Sequence, residues 1–118
     1  MFYEWARVER EDVILLLSAV KKLFADPDKW VFWPRAENSN GQEVSPHSDD
    51  AVRWCLLGAA ERCAETLFDK PICDFVECAM RDFLNDLSDD KLSHGMTYDD
   101  EYALICLGHE FLTSGEIR

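Results

Sequence analysis

The chain has 118 residues, enough for a single domain over 1–118 with a real core and no disulfide staples, and a formal charge of −12 from 24 acidic and 12 basic residues. That excess excludes direct attraction to nucleic-acid phosphates or to an anionic membrane surface, both of which need Lys and Arg in surplus, and leaves room for a basic protein partner. It is also uneven: residues 1–60 hold 10 acids and 7 bases, residues 61–118 hold 14 and 5, so the C-terminal half carries −9 of the total.

Met1 to Arg10 is aromatic at Phe2, Tyr3 and Trp5 and then charged, with no basic start followed by an apolar core, so no signal peptide is expected. From Glu11 onward Val13, Leu16, Leu17, Val20, Leu23 and Phe24 recur at helical spacing, with Glu11 and Asp12 in the first turn where the macrodipole favours acids. The helix should stop near Ala25, ahead of Asp26-Pro27-Asp28. A β-prone run, Trp30 to Trp33, leads through Pro34 to a polar stretch centred on Asn40-Gly41, the preferred pair for a tight turn; a small β-hairpin or extended loop is expected over 30–45.

Ala51 to Phe68 is the most distinctive stretch. On a helical wheel Val52, Cys55, Leu56, Ala59, Cys63 and Leu67 form one apolar stripe and Trp54, Leu57, Ala64 and Phe68 a second, which predicts a central helix over 51–68, capped by Ser48 or Asp49. Its small residues Gly58, Ala59 and Ala60 permit another backbone to approach closely. A third helix should start at Asp69-Lys70-Pro71 and present Phe75, Val76, Ala79, Met80, Phe83, Leu84 and Leu87 on one face, with Asp74, Glu77, Arg81 and Asn85 opposite. After a charged loop, Thr97 with Asp100 three residues on resembles a capping box; the last helix should run from Tyr98 to Leu112, with Tyr102, Ile105, Cys106, His109 and Leu112 on one side. The predicted class is therefore mainly α, a compact bundle of about four helices with one small β element.

Five cysteines and three histidines raise the question of a metal. No C-x-x-C pair occurs, and Cys73 and Cys78 would point about 140° apart on a helix, so no metal site is expected; buried packing accounts for Cys55, Cys63, Cys73 and Cys106, while Cys78 is expected to be exposed. No G-x-S-x-G, papain-type cysteine context or phosphate-cradling glycine loop is present, so neither a catalytic constellation nor a cofactor site is expected. His109 is expected to be a satisfied, partly buried imidazole. With reduced thiols and no apolar run long enough to span a bilayer, the chain reads as cytoplasmic.

Acidic pairs are the next candidates. Glu11-Asp12, Asp49-Asp50 and Asp99-Asp100-Glu101 all fall where helix N-termini are predicted, and capping explains them better than acid–base chemistry. Asp86, Asp89 and Asp90 lie at a predicted helix C-terminus, where the dipole disfavours anions, so a solvated loop or binding must account for them. Among the aromatics Trp30, Trp33 and Trp54, with Phe32, could form a shallow floor edged by Arg35 or Arg53, Trp and Arg being the residues that most often anchor interfaces; closing one end of the core is the competing role.

Trp54-Cys55-Leu56-Leu57-Gly58-Ala59-Ala60, then Phe83-Leu84-Asn85-Asp86 and Thr97 leading into the last helix, together with the upstream Trp30 and Asn40-Gly41-Gln42-Glu43-Val44, resemble a small bacterial and phage domain family of unknown function. The resemblance spans about three-quarters of the chain on short motifs. It departs from the family at Leu84, where an aromatic would be expected, and in the long 89–96 loop. It implies a helical cytoplasmic domain and no chemistry, and it draws attention to Asn85-Asp86 as a helix-terminating turn or a binding site.

Three functional expectations follow. The first is a non-catalytic interaction module that takes a protein partner through its acidic C-terminal half or its aromatic end. The second is a phage or mobile-element inhibitor that imitates nucleic acid, with Asp74, Glu77, Asp82, Asp86, Asp89 and Asp90 standing in for phosphates, which requires one continuous carboxylate surface. The third is a small hydrolase or thiol-dependent enzyme using Cys78 or a histidine.

Overall fold

A computed structural model describes residues 10–69, 72–88 and 97–114. Within them lie four helices, α1 (Arg10–Phe24), α2 (Leu56–Leu67), α3 (Ile72–Ser88) and α4 (Tyr98–Thr113), and two short strands, β1 (Ala36–Glu37) and β2 (Arg53–Trp54). The mainly helical bundle with its small β element is the architecture that the periodicity implied. Phe2, Tyr3 and Trp5, the Lys70-Pro71 helix start, the loop carrying Asp89, Asp90 and His94, and the Gly115 terminus fall outside the described residues.

α1 forms where the apolar spacing placed it. Val13, Leu16, Leu17, Val20 and Phe24 are all buried, and a short 3-10 turn at Pro27–Lys29, capped by the Asp26 carboxylate on the Asp28 N–H at 3.0 Å, turns the chain away. α1 and α3 each pack against the three other helices, whereas α2 and α4 stand on opposite flanks. The core lies between α1 and α3, where Leu16, Leu17, Val76, Met80, Leu84 and Ile105 meet with almost no exposed surface.

The expected helix over 51–68 is corrected at its N-terminal end. Arg53 and Trp54 are extended and pair antiparallel with Glu37 and Ala36, and the helix starts only at Leu56. The backbone donors explain the change: the N–H groups of Val52 and Cys55 donate to the Glu37 and Arg35 carbonyls at 2.9 and 3.1 Å, bonds that a helix would have to break. Cys55 replaces Ser48 and Asp49 as the cap, its Sγ accepting from the Gly58 N–H. Asp49-Asp50 therefore sits in a turn ahead of β2, and the helix-terminus explanation for that pair fails. Val52 and Leu67, assigned to the apolar stripe, are more than a third exposed.

Close packing at the small residues is confirmed. Gly58 lies directly under the segment that leads into β1, where a Cβ would overlap the Arg35 carbonyl oxygen. Before β2 the chain makes the expected tight turn: the Asn38 carboxamide oxygen accepts from the N–H groups of Asn40 and Gln42, Gly41 takes a φ of +80°, and Glu37 bridges Glu43.

α3 differs from expectation at three places. Phe75 is exposed, Cys78 is half-buried, and Asn85-Asp86 continues the helix, which runs on to Ser88. On α4 Thr97 caps as predicted, its hydroxyl accepting from Asp100 N–H at 3.2 Å. The buried face is rotated from the expected one, to Glu101, Leu104, Ile105, Gly108 and Leu112. No helix among the described residues is long and apolar enough to cross a membrane.

Candidate functional site

The carboxylates flagged on α3 are split by the helical period. Asp74 and Glu77 turn toward α2, where with Glu61 and Glu65 they line an open groove of about 330 Å³ that also receives Arg35, His47 and Cys73. Glu61 and Glu65 are one turn apart on α2, so their side chains share a face, and α3 packs alongside. Asp82 and Asp86 lie on a stripe about 100° or more around α3 from the midpoint of Asp74 and Glu77, and both are exposed. Arg81 shares the stripe of Asp74 and Glu77, and the half-buried Asn85 lies between the two stripes.

Two basic side chains enter the groove already partnered. Arg35 forms an ion pair with Glu61, and His47 Nδ1 lies 3.0 Å from Glu65 Oε1. Arg35 is delivered by the segment lying on Gly58 that leads into β1, so the groove is a product of the β element as much as of the helices. The Glu77 carboxyl is pushed up to about 7, first by partial burial and then by the negative charges of Glu61 and Asp74, with Arg81 and Arg35 opposing. Around neutral pH the site thus holds one carboxyl poised between its charged and neutral forms.

The aromatic candidates are separated. Trp54 is 6% exposed and Trp30 is half-buried; the two backbones bridge one another, and Val31 N–H donates to Trp54 O at 3.0 Å. The Trp54 indole N–H donates to Pro46 O at 3.0 Å. Arg53 is spent on Glu37 at 2.6 Å and on the Asn38 carbonyl at 3.0 Å. Phe32 and Trp33, at 62% and 70% exposed, are left facing outward two or three residues from Arg35. The single aromatic floor expected from the sequence is thus replaced by a core pair and an exposed pair.

Sequence reasoning missed Glu101. It was assigned to the first turn of α4 as a dipole-favoured acid, yet it is buried and accepts the Trp30 indole N–H at 2.7 Å. Burial holds its carboxyl above the usual range, against the indole bond that lowers it. Glu61 and Glu65 were also missed, although their i, i+4 spacing on a helix with Arg62 between them was visible.

For thiol or histidine chemistry the placements are specific. His47 lines the α2–α3 groove beside the buried Cys73, and His109 lines a second groove with Cys106 and Lys21; Cys78 lines neither. His109 is held below its usual range by burial and by Lys21. The five cysteines are unbridged, and among the described residues no cluster of three or more His, Cys, Asp or Glu is arranged to hold a metal ion. No protein-family model, curated protein or solved structure matches the chain.

Proposed function

We propose that the chain is a non-catalytic interaction module that binds a basic segment of a partner protein in the α2–α3 groove. The observation that carries this reading is the convergence of Glu61, Glu65, Asp74 and Glu77 on one groove, offset only by Arg35 and His47, with Phe32 and Trp33 exposed on the segment that delivers Arg35. A lysine or arginine side chain has carboxylates to meet there, and the two aromatics offer apolar and cation–π contact at the approach. Arrival of a positive charge favours the ionised form of Glu77, so binding near pH 7 should release protons.

Titration with an oligolysine peptide and its fully acetylated form, at low and raised ionic strength, tests the proposal. Expected are saturable binding of the charged peptide only, loss with salt, weakening by Glu65→Gln combined with Asp74→Asn, and a heat of binding that varies with the buffer's ionisation enthalpy. Equal binding of the acetylated peptide overturns it. So does a greater loss from Asp82→Asn combined with Asp86→Asn, an outcome that would favour imitation of nucleic-acid phosphates instead.

A further inference from the structure

The opposite flank of α2 carries the reverse charge. Lys22, Lys29 and Arg62 line an open groove of about 480 Å³ between α1 and α2, and no carboxylate among the described residues lines it, in a chain where acids outnumber bases two to one. Its apolar lining includes Leu23, Cys63 and Leu67, the last 42% exposed. Lys22 and Lys29 pair with no carboxylate among the described residues.

Arg62 is set in place by the fold. Its Nη1 donates to the carbonyls of Pro46 and Ser48 at 3.0 and 3.1 Å, and its guanidinium lies 5.3 Å over the Trp54 ring. Nη1 is thereby used, while Nη2 and Nε donate to no group among the described residues and keep a planar, charged edge for a ligand. A guanidinium positioned in this way loses little further freedom on meeting a carboxylate. The Cys63 thiol, pushed up to about 11 by burial, stays neutral and adds no negative charge to the groove.

From this geometry we infer that the α1–α2 groove is a binding site for a small free carboxylate bearing a short apolar tail, its head on Arg62 with Lys22 and Lys29 near and its tail against Leu67 and Leu23. The size of the groove selects this occupant. Along the helices its lining spans only Ala19 to Leu23 on α1 and Arg62 to Leu67 on α2, about 6 to 8 Å of each, with Lys29 and Trp54 completing it, a helical frontage too short to seat the successive turns of an acidic peptide helix. The volume is that of a small-molecule site, and charge complementarity specifies an anion.

Octanoate and its neutral isostere octanamide, titrated against the full chain by amide NMR, test the inference. Expected are saturable shifts centred on Lys22, Arg62 and Leu67, with octanamide weaker by about tenfold or more. Lys22→Gln combined with Lys29→Gln, both at exposed positions, should weaken octanoate about fivefold without changing the circular dichroism spectrum. Leu67→Ser should weaken octanoate and octanamide alike. Equal binding of the two ligands, shifts centred elsewhere, or sedimentation with phosphatidylglycerol vesicles in place of saturable octanoate binding would each overturn the assignment.

Discussion

The two flanks of α2 are built from interleaved residues and carry opposite charge. Glu61 and Glu65 face α3, while Arg62, Cys63, Thr66 and Leu67 face α1, so neighbours in sequence are sorted into an acidic groove and a basic, partly apolar one by nothing more than the 100° step of the helix. The two also differ in how their charges are held. In the acidic groove Glu61 is paired with Arg35, Glu65 meets His47 and Glu77 is crowded by like charge, whereas in the basic groove Arg62 is fixed by carbonyls and a ring and the lysines meet no acid among the described residues. The contrast shows that a net charge of −12 says little about any one surface of this molecule.

The severest way to break this contrast is at Gly58, because the segment lying on it, the strand β1 with its lead-in, delivers Arg35 to the acidic flank and is continuous with the aromatic pair. Gly58→Ala places a methyl group inside the van der Waals radius of the Arg35 carbonyl oxygen, and destabilisation of about 3 kcal/mol is expected in urea unfolding. An effect below about 1 kcal/mol would show that the strand can lift without consequence.

Next in size is Arg62→Met, which removes two carbonyl bonds and the contact with Trp54 while keeping much of the apolar stem. About 2 kcal/mol should be lost, with a change in Trp fluorescence as Trp54 is uncovered; an unchanged spectrum would argue that Arg62 does not cover the ring.

Glu77→Gln should act in the opposite direction. A carboxyl whose pKa is raised from its ordinary value of 4.5 to about 7 in the folded state binds its proton more tightly there than when unfolded. Its contribution is therefore most favourable in acid, and is lost as pH rises from about 4.5 through about 7. The variant should be more stable than the parent at pH 8, by about 1 kcal/mol once solvent screening of a half-exposed group is allowed for, and indistinguishable from it at pH 4. Melting curves at both pH values check this, and an equal difference at the two would rule out Glu77 as the titrating group.

The smallest effect belongs to the lysines. Lys22→Gln and Lys29→Gln should each alter stability by less than about 0.5 kcal/mol, since both side chains are exposed. A larger loss in thermal unfolding would mean that the basic groove holds the fold together and is not free to meet a ligand.

Local pattern was enough for the apolar face of α1 and for the span and Thr97 cap of α4, which are written in consecutive residues. It failed at Arg53 and Trp54, whose apolar spacing suits a helix equally well. The deciding bonds come from Arg35 and Glu37, some 16 to 20 positions earlier, and periodicity carries no information about a partner that distant. Glu101 was misread for the same reason: an acid in the first turn of a helix normally faces water, and only the packing of Trp30 against that turn encloses it.

Of the candidate residues, Asp74, Glu77 and Arg35 come to line one groove, while Trp54 and Arg53 are consumed by the structure. By itself the sequence determined the number of helices, the apolar face of α1, the tight turn at Asn38 to Gln42 and the small residues at Gly58 to Ala60, because each depends on neighbours within about one turn. Only the tertiary structure decided which carboxylates and which cations share a groove. Grouping of that kind arises where helices meet, and the angle at which two helices meet is set by the whole core and not by either segment.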